Sequence, residues 1–449
     1  MSELTSIVRT GATGAGKTQA ASGDVVASRF AEVILDPEKD SFAATVVKNV
    51  SGNFLYDRLD DLKNALGYEL LTLSSHPEDR QREFENDRNA KAFAAILLRR
   101  RDSDSMATTP LMEEWVTAGI ALIQFQVPHK PLTMLPFAYM PDTAEFKTLL
   151  RDCESRALAH KFRQLECLSI RALRAEVSSA LRLIGPVVND PCFHVRCRGG
   201  FDIGAALQRR CKVVVEAGDA GDDAKRIIMG AIVLKVIEHA KRRPRPEPPI
   251  YIRIDEATAA GLVGKPELRG IAQTRKYGLF FDFLGQTLDY PGGSGSVLQN
   301  CKRHEWFCCP DYDLARKAAI DILAGLPVDD RSRAERIEEI ARDVMFLRPG
   351  ERWVRDAAGS RFEYVEMLKS PWPPWPGLAK TKLRLKLERV FARPEYQLCE
   401  AKRSATSSKP ETQQPPSLLA ASSPARRLKQ QEKRRAAGLP SEDGGNESA

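Results

Sequence analysis

Residues 11–18 read GATGAGKT and match the pattern G-x-x-x-x-G-K-[ST] at every fixed position. A short β-prone run, residues 5–10, precedes this stretch, and residues 19–29 favour a helix. In a strand–loop–helix context, glycines let successive backbone N–H groups turn inward around phosphate oxygens, at the positive end of the helix. The stretch therefore predicts a phosphate-binding loop made of Gly11, Ala12, Thr13, Gly14, Ala15, Gly16, Lys17 and Thr18.

Two side chains of this loop carry the expected chemistry. Lys17 would contact the β- and γ-phosphates of a nucleoside triphosphate, and the Thr18 hydroxyl would hold Mg²⁺. The alternative is a glycine-rich turn with an unrelated lysine, and the strand before the loop and the helix after it argue against that alternative. The loop predicts that the chain binds ATP and Mg²⁺.

The composition sets the broad class of protein. The chain has 449 residues, of which 43% are hydrophobic, so one large α/β domain with an insertion can bury a core. The net charge of +8 permits anionic partners such as DNA without demonstrating them. Nine irregularly spaced cysteines and the absence of a signal peptide predict reduced thiols in the cytoplasm. No apolar run approaches the roughly 20 residues of a membrane-spanning helix, so no transmembrane segment is expected.

Hydrophobic runs typical of strands recur between helical patterns. This alternation predicts an α/β fold, in which a mostly parallel sheet carries helices on both faces. The predicted strands are residues 6–9, 32–35, 212–216, 250–254, 279–284 and 305–308.

The chain divides where this pattern changes. The block between the second and third predicted strands is helical and polar, with helices expected at 84–101, 111–124 and 145–183. A later hairpin is expected from runs at 344–348, 352–355 and 362–367. The two parts of the core are predicted at 1–76 and 185–378, and the second part includes the C-terminal hairpin. An inserted α-helical subdomain is predicted at 77–184 and a basic helix at 379–400. Residues 401–449 are poor in apolar residues and are predicted to be a disordered tail.

A second motif follows the strand at 250–254. Asp255 and Glu256 end this strand, where an enzyme with a phosphate loop needs one carboxylate for Mg²⁺ and one to polarise the attacking water. The alternative is that both acids only favour the start of the next helix. The phosphate loop upstream favours the functional interpretation.

A third group surrounds the strand at 279–284. Gln286 follows the strand, where an amide beside the phosphate loop can contact the γ-phosphate. Arg275 precedes the strand, where an arginine can reach a neighbouring subunit as a finger. For each residue a structural role is equally open: a strand cap for Gln286 and a solvated cation for Arg275.

The ordered set of motifs resembles the HerA/FtsK superfamily of ATP-driven translocases. Within it, the set is most similar to the conjugative, type IV secretion coupling ATPases of the TraD/TraG kind. The resemblance spans residues 7–365 and includes the run from Asp36 to Asp40, whose second acid lies one residue later than in those proteins, and the run 201–204 before the third predicted strand.

This resemblance implies a RecA-like P-loop ATPase that forms a hexameric ring and moves DNA through its pore. Lys17 and Thr18 would bind phosphate and Mg²⁺, Asp255 the metal and Glu256 the water, while Gln286 would sense the γ-phosphate and Arg275 would be the finger. Coupling proteins anchored in the membrane carry transmembrane helices before the phosphate loop, whereas this chain begins ten residues ahead of it. We therefore expect a cytoplasmic protein that secretion or conjugation partners recruit to the inner membrane, and a shortened N-terminus is the alternative.

Other interpretations stay open on the sequence. The chain could be a nucleotide-gated assembly or binding protein, in which ATP orders a ring or a partner surface without DNA transport. Cys192 and Cys197, with Cys308 and Cys309, could suggest zinc, but their irregular spacing favours buried thiols. The basic clusters at 99–101 and 241–243 could track a phosphate backbone or only complement helix ends.

Overall fold

Seven parallel strands place their carboxyl ends along one edge of a single sheet. The computed structural model describes residues 4–39, 41–71, 73–74, 76, 78–98, 109–197, 199–243, 248–257, 274–286, 301–324, 326, 332–365 and 377–396. In that part of the chain, the strand order is β3-β4-β2-β5-β6-β1-β7-β8-β9, and β8 and β9 are antiparallel. The strands are β1 Ile7–Thr10, β2 Ala31–Asp36, β3 Phe54–Arg58, β4 Lys212–Glu216, β5 Ile250–Ile254, β6 Leu279–Gly285, β7 Arg303–Trp306, β8 Glu351–Asp356 and β9 Gly359–Tyr364.

Helices cover both faces of this sheet. Every residue of β1, β2, β4, β5 and β6 is buried, which a strand achieves only when both faces are covered. The predicted α/β class is therefore confirmed. The described helices are α1 Lys17–Ala27, α2 Phe42–Asn49, α3 Asp79–Leu98, α4 Pro110–Gln124, α5 Ala144–Arg151, α6 Arg156–Arg163, α7 Ile170–Val188, α8 Pro191–Arg196, α9 Ile203–Gln208, α10 Asp222–Arg242, α11 Tyr312–Leu323, α12 Arg333–Met345 and α13 Gly377–Phe391.

The strand β3 is absent from the sequence-based prediction. Its sequence, FLYDR, ends in two charged residues and gives no long apolar run. Asp57 is nevertheless fully buried, because the Arg196 guanidinium on α8 donates to both of its carboxylate oxygens, at 2.6 and 3.0 Å. The buried charge of Asp57 is compensated by a residue 139 positions away, so the local sequence pattern could not reveal this strand. The strand β7 lies two residues earlier than expected.

The helical block from α3 to α8 lies between β3 and β4, one strand later than predicted. The single helix expected at 145–183 is wrong, because the chain forms α5, α6 and α7 there. The hydroxyl of Ser155 caps α6 by accepting from the Leu158 N–H, and Ser169 caps α7 in the same way. The block joins the rest of the fold through α3, where the buried Arg226 of α10 donates to the Ile96 carbonyl at 2.8 Å.

The C-terminal hairpin is formed by β8 and β9. The strand expected at 344–348 is wrong, since Val344 and Met345 end α12. The basic helix expected at 379–400 corresponds to α13, which packs against the edge strand β3. There the Tyr396 hydroxyl accepts from the Tyr56 N–H at 2.9 Å and donates to the Tyr56 carbonyl at 2.7 Å, so it covers polar groups that an edge strand leaves open. The tail predicted at 401–449 lies outside the described residues.

A row of buried ion pairs crosses the sheet beneath its carboxyl edge. Asp282 on β6 accepts from Arg9 on β1 at 2.9 Å and also from Arg253 on β5. Arg253 donates onward to Glu32 on β2 at 2.9 Å, and Arg9 donates to Glu305 on β7 at 2.7 Å. The side chains of Arg9, Glu32, Asp282 and Glu305 are fully buried, and Arg253 is 4% exposed. Five neighbouring strands are thus linked by charge as well as by backbone hydrogen bonds.

The replacement Asp282→Asn should strongly destabilise the protein. It removes the negative charge between two buried guanidinium groups, and removal of one partner from a buried pair costs about 3–5 kcal/mol. Denaturant unfolding should show a lower midpoint than for the unmodified chain. The matched control is Asp87→Asn, because Asp87 pairs with Lys91 at the surface, where such a pair contributes about 0–1 kcal/mol. Equal midpoints for the two variants would contradict this role of Asp282.

Candidate nucleotide-binding site

The loop after β1 has the backbone shape of a phosphate cradle. Gly14 and Gly16 have φ angles of 79° and 107°, a left-handed region that favours glycine, and Gly16 caps α1. A Cβ on Gly16 would lie 3.0 Å from the backbone nitrogen of Gly350. A Cβ on Gly11 would lie 2.7 Å from the Cβ of Phe307. Glycine is therefore required at these positions by conformation and by close neighbours.

Lys17 is the first residue of α1 and its side chain folds back over the loop. Its Nζ donates to the Gly11 carbonyl at 2.6 Å and to the Ala12 carbonyl at 2.9 Å. Burial lowers the pKa of the Lys17 amino group, and the nearby carboxylates of Glu256 and Asp255 oppose that shift. The amino group is thus positioned between the loop and the acidic end of β5.

The structure brings Thr18 and Asp255 together across 237 residues of sequence. The Thr18 hydroxyl lies 3.5 Å from Oδ2 of Asp255, and the Asp255 N–H donates to the Leu35 carbonyl at 3.0 Å. Asp255 is only 4% exposed. Burial, with the charge of Glu256 beside it, raises the pKa of Asp255 to about 7. This carboxyl group therefore gains and loses its proton near neutral pH.

Glu256 and Gln286 also meet at this edge. The Gln286 side-chain amide donates to Oε1 of Glu256 at 3.3 Å. Glu256 has a φ angle of 42°, in the left-handed region that non-glycine residues rarely adopt, so the chain turns sharply after Asp255. The Gly11 N–H donates to the Gly285 carbonyl at 3.3 Å, which joins the end of β6 to the phosphate loop.

Asp36, at the end of β2, is a fully buried neighbour of this group. Burial and the charge of Asp255 raise the pKa of Asp36 well above its usual range. Its carboxylate accepts from the Ala43 N–H at 2.7 Å and from the Glu38 N–H at 3.0 Å, and so fixes the turn that leads into α2. In the run from Asp36 to Asp40, which forms part of the family resemblance, Asp36 thus has a local structural role. The second acid of this run, Asp40, lies outside the described residues.

Arg275 is not part of this group within one chain. It is an exposed residue of a short 3-10 helix, Arg275–Tyr277, that precedes β6, whereas Gln286 follows β6. The seven residues of β6 separate the two by roughly 23 Å along the strand. Arg275 therefore lies at the opposite edge of the sheet from the phosphate loop of its own chain.

Two contacts of the phosphate loop have no signal in the sequence. The Ala12 N–H donates to the Cys308 carbonyl at 2.7 Å, and the Gly350 N–H donates to the Ala15 carbonyl at 3.1 Å. Both contacts use backbone atoms, which any residue type supplies. The C-terminal hairpin is consequently a wall of the site, a role that the sequence analysis does not anticipate.

Among the described residues, no group of three or more His, Cys, Asp or Glu side chains is arranged to hold a metal ion by itself. Cys192 is the second residue of helix α8, Cys197 follows that helix, and Cys309 is buried shortly after β7. Of the basic clusters, 99–101 is not described, while Arg243 donates to the carbonyls of Pro248 and Tyr277. Among the described helices, none combines the length and apolar composition needed to cross a membrane.

The fold is similar to that of solved conjugative coupling proteins. The bacterial conjugative coupling protein TrwBdeltaN70, in its unbound monoclinic form, superposes with a TM-score of 0.58 at 14% identity, covering 82% of this chain and 86% of that one. The plasmid coupling protein TrwB in complex with ADP and Mg²⁺ gives 0.56 at 14% identity, and in complex with an ATP analogue 0.57 at 16%; both comparisons cover 82% of this chain and 87% of that one. No family model and no curated protein matches the sequence. The chain therefore has the same RecA-like α/β fold as these coupling proteins, and the predicted resemblance is confirmed at the level of the fold.

The raised pKa of Asp255 predicts a pH dependence of stability. An aspartate in an unfolded chain has a pKa near 3.9, so between about pH 4 and pH 7 the folded chain holds a proton that the unfolded chain has lost. Below about pH 4, Asp255 makes its full contribution to the free energy of unfolding. This contribution falls as the pH rises and is lost above about pH 7. The variant Asp255→Asn avoids this loss and should be more stable than the unmodified chain at pH 8, by up to about 4 kcal/mol.

Denaturant midpoints at pH 5 and pH 8, without nucleotide, measure the effect. The gain from Asp255→Asn should be larger at pH 8 than at pH 5. Asp142→Asn, at an exposed position before α5, serves as the control and should shift both midpoints alike. A gain from Asp255→Asn that does not change with pH would contradict the raised pKa.

Proposed function

We propose that this chain is an ATP-hydrolysing motor of the HerA/FtsK type that translocates DNA in conjugation or type IV secretion-like transfer. One observation carries the proposal: the carboxyl edge of one sheet brings a glycine-rich loop, which ends in Thr18, together with Asp255, Glu256 and Gln286. The fold likeness to TrwB, solved with ADP and Mg²⁺, supports the same class of activity.

The loop supplies the binding groups for the phosphates. Its backbone N–H groups lie at the N-terminus of α1, where the helix dipole favours anions. Lys17 donates to carbonyls of the loop in this structure and would transfer its hydrogen bonds to phosphate oxygens. Because burial lowers the pKa of Lys17, a polyanion beside it also favours its charged form.

Thr18 and Asp255 fit the requirements of a Mg²⁺ site. A hydroxyl and a carboxylate are the hard oxygen ligands that Mg²⁺ prefers, and Mg²⁺ commonly takes one or two carboxylates together with substrate phosphates. When bound, the metal would neutralise charge on the β- and γ-phosphates. Asp255 would hold it as a carboxylate, and a nearby cation favours that ionised form.

Glu256 is the residue that we assign to hydrolysis. Its carboxylate would accept a proton from a water molecule while the water oxygen bonds to the γ-phosphorus and the bond to the ADP oxygen breaks. The amide of Gln286 orients this carboxylate through the 3.3 Å hydrogen bond and lies at the end of the strand nearest the loop. The proton then leaves Glu256 for phosphate or solvent.

The assembly in which this site acts is part of the proposal. We place the protein in the cytoplasm, as a homo-oligomeric ring that secretion or conjugation partners recruit to the inner membrane. Arg275 is exposed at the edge opposite the loop, so it could complete only the site of a neighbouring copy. A net charge of +8 favours DNA as the transported polymer.

Replacing Lys17 and Glu256 should separate binding from hydrolysis. Lys17→Ala should weaken ATP binding, because the main phosphate-binding cation is lost. Glu256→Gln should keep ATP binding and reduce turnover by roughly 10²–10⁴-fold, the range that a positioned acid–base group supplies. Binding is measured by calorimetry and turnover by phosphate release, with Lys63→Ala and Glu83→Gln as exposed controls. Unchanged turnover in both site variants would rule out this site.

DNA distinguishes the motor from the alternative function. Phosphate release by the unmodified chain should rise severalfold when single- or double-stranded DNA is added, and Glu256→Gln should not respond. If DNA has no effect while a protein partner stimulates turnover, the chain is instead a nucleotide-gated assembly protein.

Arg275 can be tested by mixing variants. Arg275→Ala should bind ATP normally but lose turnover, on the order of 10³-fold, as expected when a finger is removed. In mixtures with Glu256→Gln, some interfaces combine an intact Glu256 with an intact Arg275 and should recover activity. Lys276→Ala, a neighbouring exposed cation, is the control. If no proportion of the two variants restores turnover, the action of Arg275 between subunits loses its support.

A further inference from the structure

Two exposed aromatic side chains lie in segments whose neighbouring residues contact the phosphate loop. Phe346 is 79% exposed and Tyr364 is 74% exposed, and these are the two largest exposed fractions among the large apolar side chains of the described residues. Leaving such rings in water forgoes the roughly 1.5–3 kcal/mol that burial of a large apolar side chain provides. Because their segments contact the phosphate loop, the ligand of that loop is the candidate that would cover them.

Phe346 is tied to the loop through the segment before it. The preceding residue, Met345, accepts from the Cys308 thiol at 3.3 Å through its carbonyl oxygen. The Cys308 carbonyl in turn accepts from the Ala12 N–H at 2.7 Å. The end of α12 is thus two contacts away from the phosphate loop, and Phe346 is the exposed residue that follows it.

Tyr364 is tied to the loop through the hairpin. The Val365 N–H donates to the Gly350 carbonyl at 2.7 Å, and the Gly350 N–H donates to the Ala15 carbonyl at 3.1 Å. Val365 packs against the small apolar cluster of Ala15, Ala20 and Phe307 beneath the loop, and Tyr364 faces the other side of the hairpin, where its ring contacts that of Phe362. Because β8 begins and β9 ends at the carboxyl edge of the sheet, Tyr364 lies at the same edge as the loop.

The sheet order gives the direction of a bound nucleotide. Asp255 and Gln286 follow β5 and β6, on one side of β1, so a γ-phosphate would lie on that side. Phe346 lies between β7 and β8 in sequence, Tyr364 ends β9, and these three strands lie on the other side of β1. A triphosphate with its γ end at Glu256 extends away from β5, and its ribose and base therefore leave the loop towards the two rings.

We propose that Phe346 and Tyr364 form the subsite for the nucleotide base, an assignment that rests on the proposed function of the loop. The rings hold the base by stacking on its face. Stacking of a base on an aromatic side chain is tolerant of base identity, because every base has a π-face. The subsite therefore accepts adenine and guanine alike, and the larger face of a purine is preferred over a pyrimidine.

The affinities for ADP and for inorganic pyrophosphate test this subsite, because the two ligands share a diphosphate and differ by the nucleoside. In the full chain, Phe346→Ala and Tyr364→Ala should each weaken ADP binding about tenfold, within the range that loss of a stacking ring produces. Pyrophosphate binding should stay unchanged. Phe346→Tyr retains the ring and should bind ADP normally. Phe84→Ala, at a 62% exposed position on α3, is the matched control.

A fluorescent variant gives an independent readout. In Phe346→Trp, ADP should change the emission of the new indole and pyrophosphate should not, since only ADP brings a base to stack on it. The unmodified chain measures the background from the other tryptophans.

Three other results have distinct meanings. Unchanged ADP binding in both alanine variants overturns the subsite. An equal loss of ADP and pyrophosphate binding, together with loss of the oligomer in sedimentation, also overturns it and assigns the rings to contacts between copies of the chain. If the unmodified chain binds neither ligand, the proposed function itself fails, and the failure of the subsite follows from that.

Discussion

The carboxylate of Asp282, held between two buried arginines, determines where the chemical groups of the site lie. Arg9 precedes the phosphate loop by two residues, Arg253 precedes Asp255 by two residues, and Asp282 precedes Gln286 by four. A buried guanidinium without its carboxylate is costly, so β1, β6 and β5 cannot shift relative to one another without breaking these pairs. The ion pairs thus fix, one layer below the edge, the spacing of the loop, Gln286 and Asp255.

The edge itself is less stable than the layer beneath it. Asp36 and Asp255 are both buried with raised pKa values, so their ionised forms are disfavoured in the folded chain. Burial also lowers the pKa of Lys17 between the loop and these acids. Under the proposed function, a bound cation would favour the ionised form of these acids, and a bound polyanion would favour the charged form of Lys17. In the layer below, by contrast, each buried charge has an oppositely charged partner.

The sequence predicts the parts of the site that local chemistry dictates. The loop at 11–18, the acids after β5 and Gln286 all need particular residue types at particular spacings, and the structure brings them together. Other parts depend on distant partners and leave no local pattern. The strand β3 forms around the pair of Asp57 with Arg196, and the hairpin reaches the loop through the backbone N–H of Gly350. The prediction of one helix at 145–183 is wrong because Ser155 and Ser169 cap separate helices there. Apolar periodicity alone does not reveal these caps.

The phosphate loop is enclosed on two sides by elements with different properties. On the β5 and β6 side, acids and an amide converge, and these groups suit the breaking of a bond. On the β7 to β9 side, the contacts are backbone hydrogen bonds from Cys308 and Gly350 and the exposed surfaces are aromatic, which suits retention of a ligand without chemistry. The Gly350 N–H donates to the Ala15 carbonyl, so a backbone hydrogen bond joins the hairpin to the loop. Under the proposed function, a ligand in the loop would therefore lie between the acids on one side and the hairpin on the other.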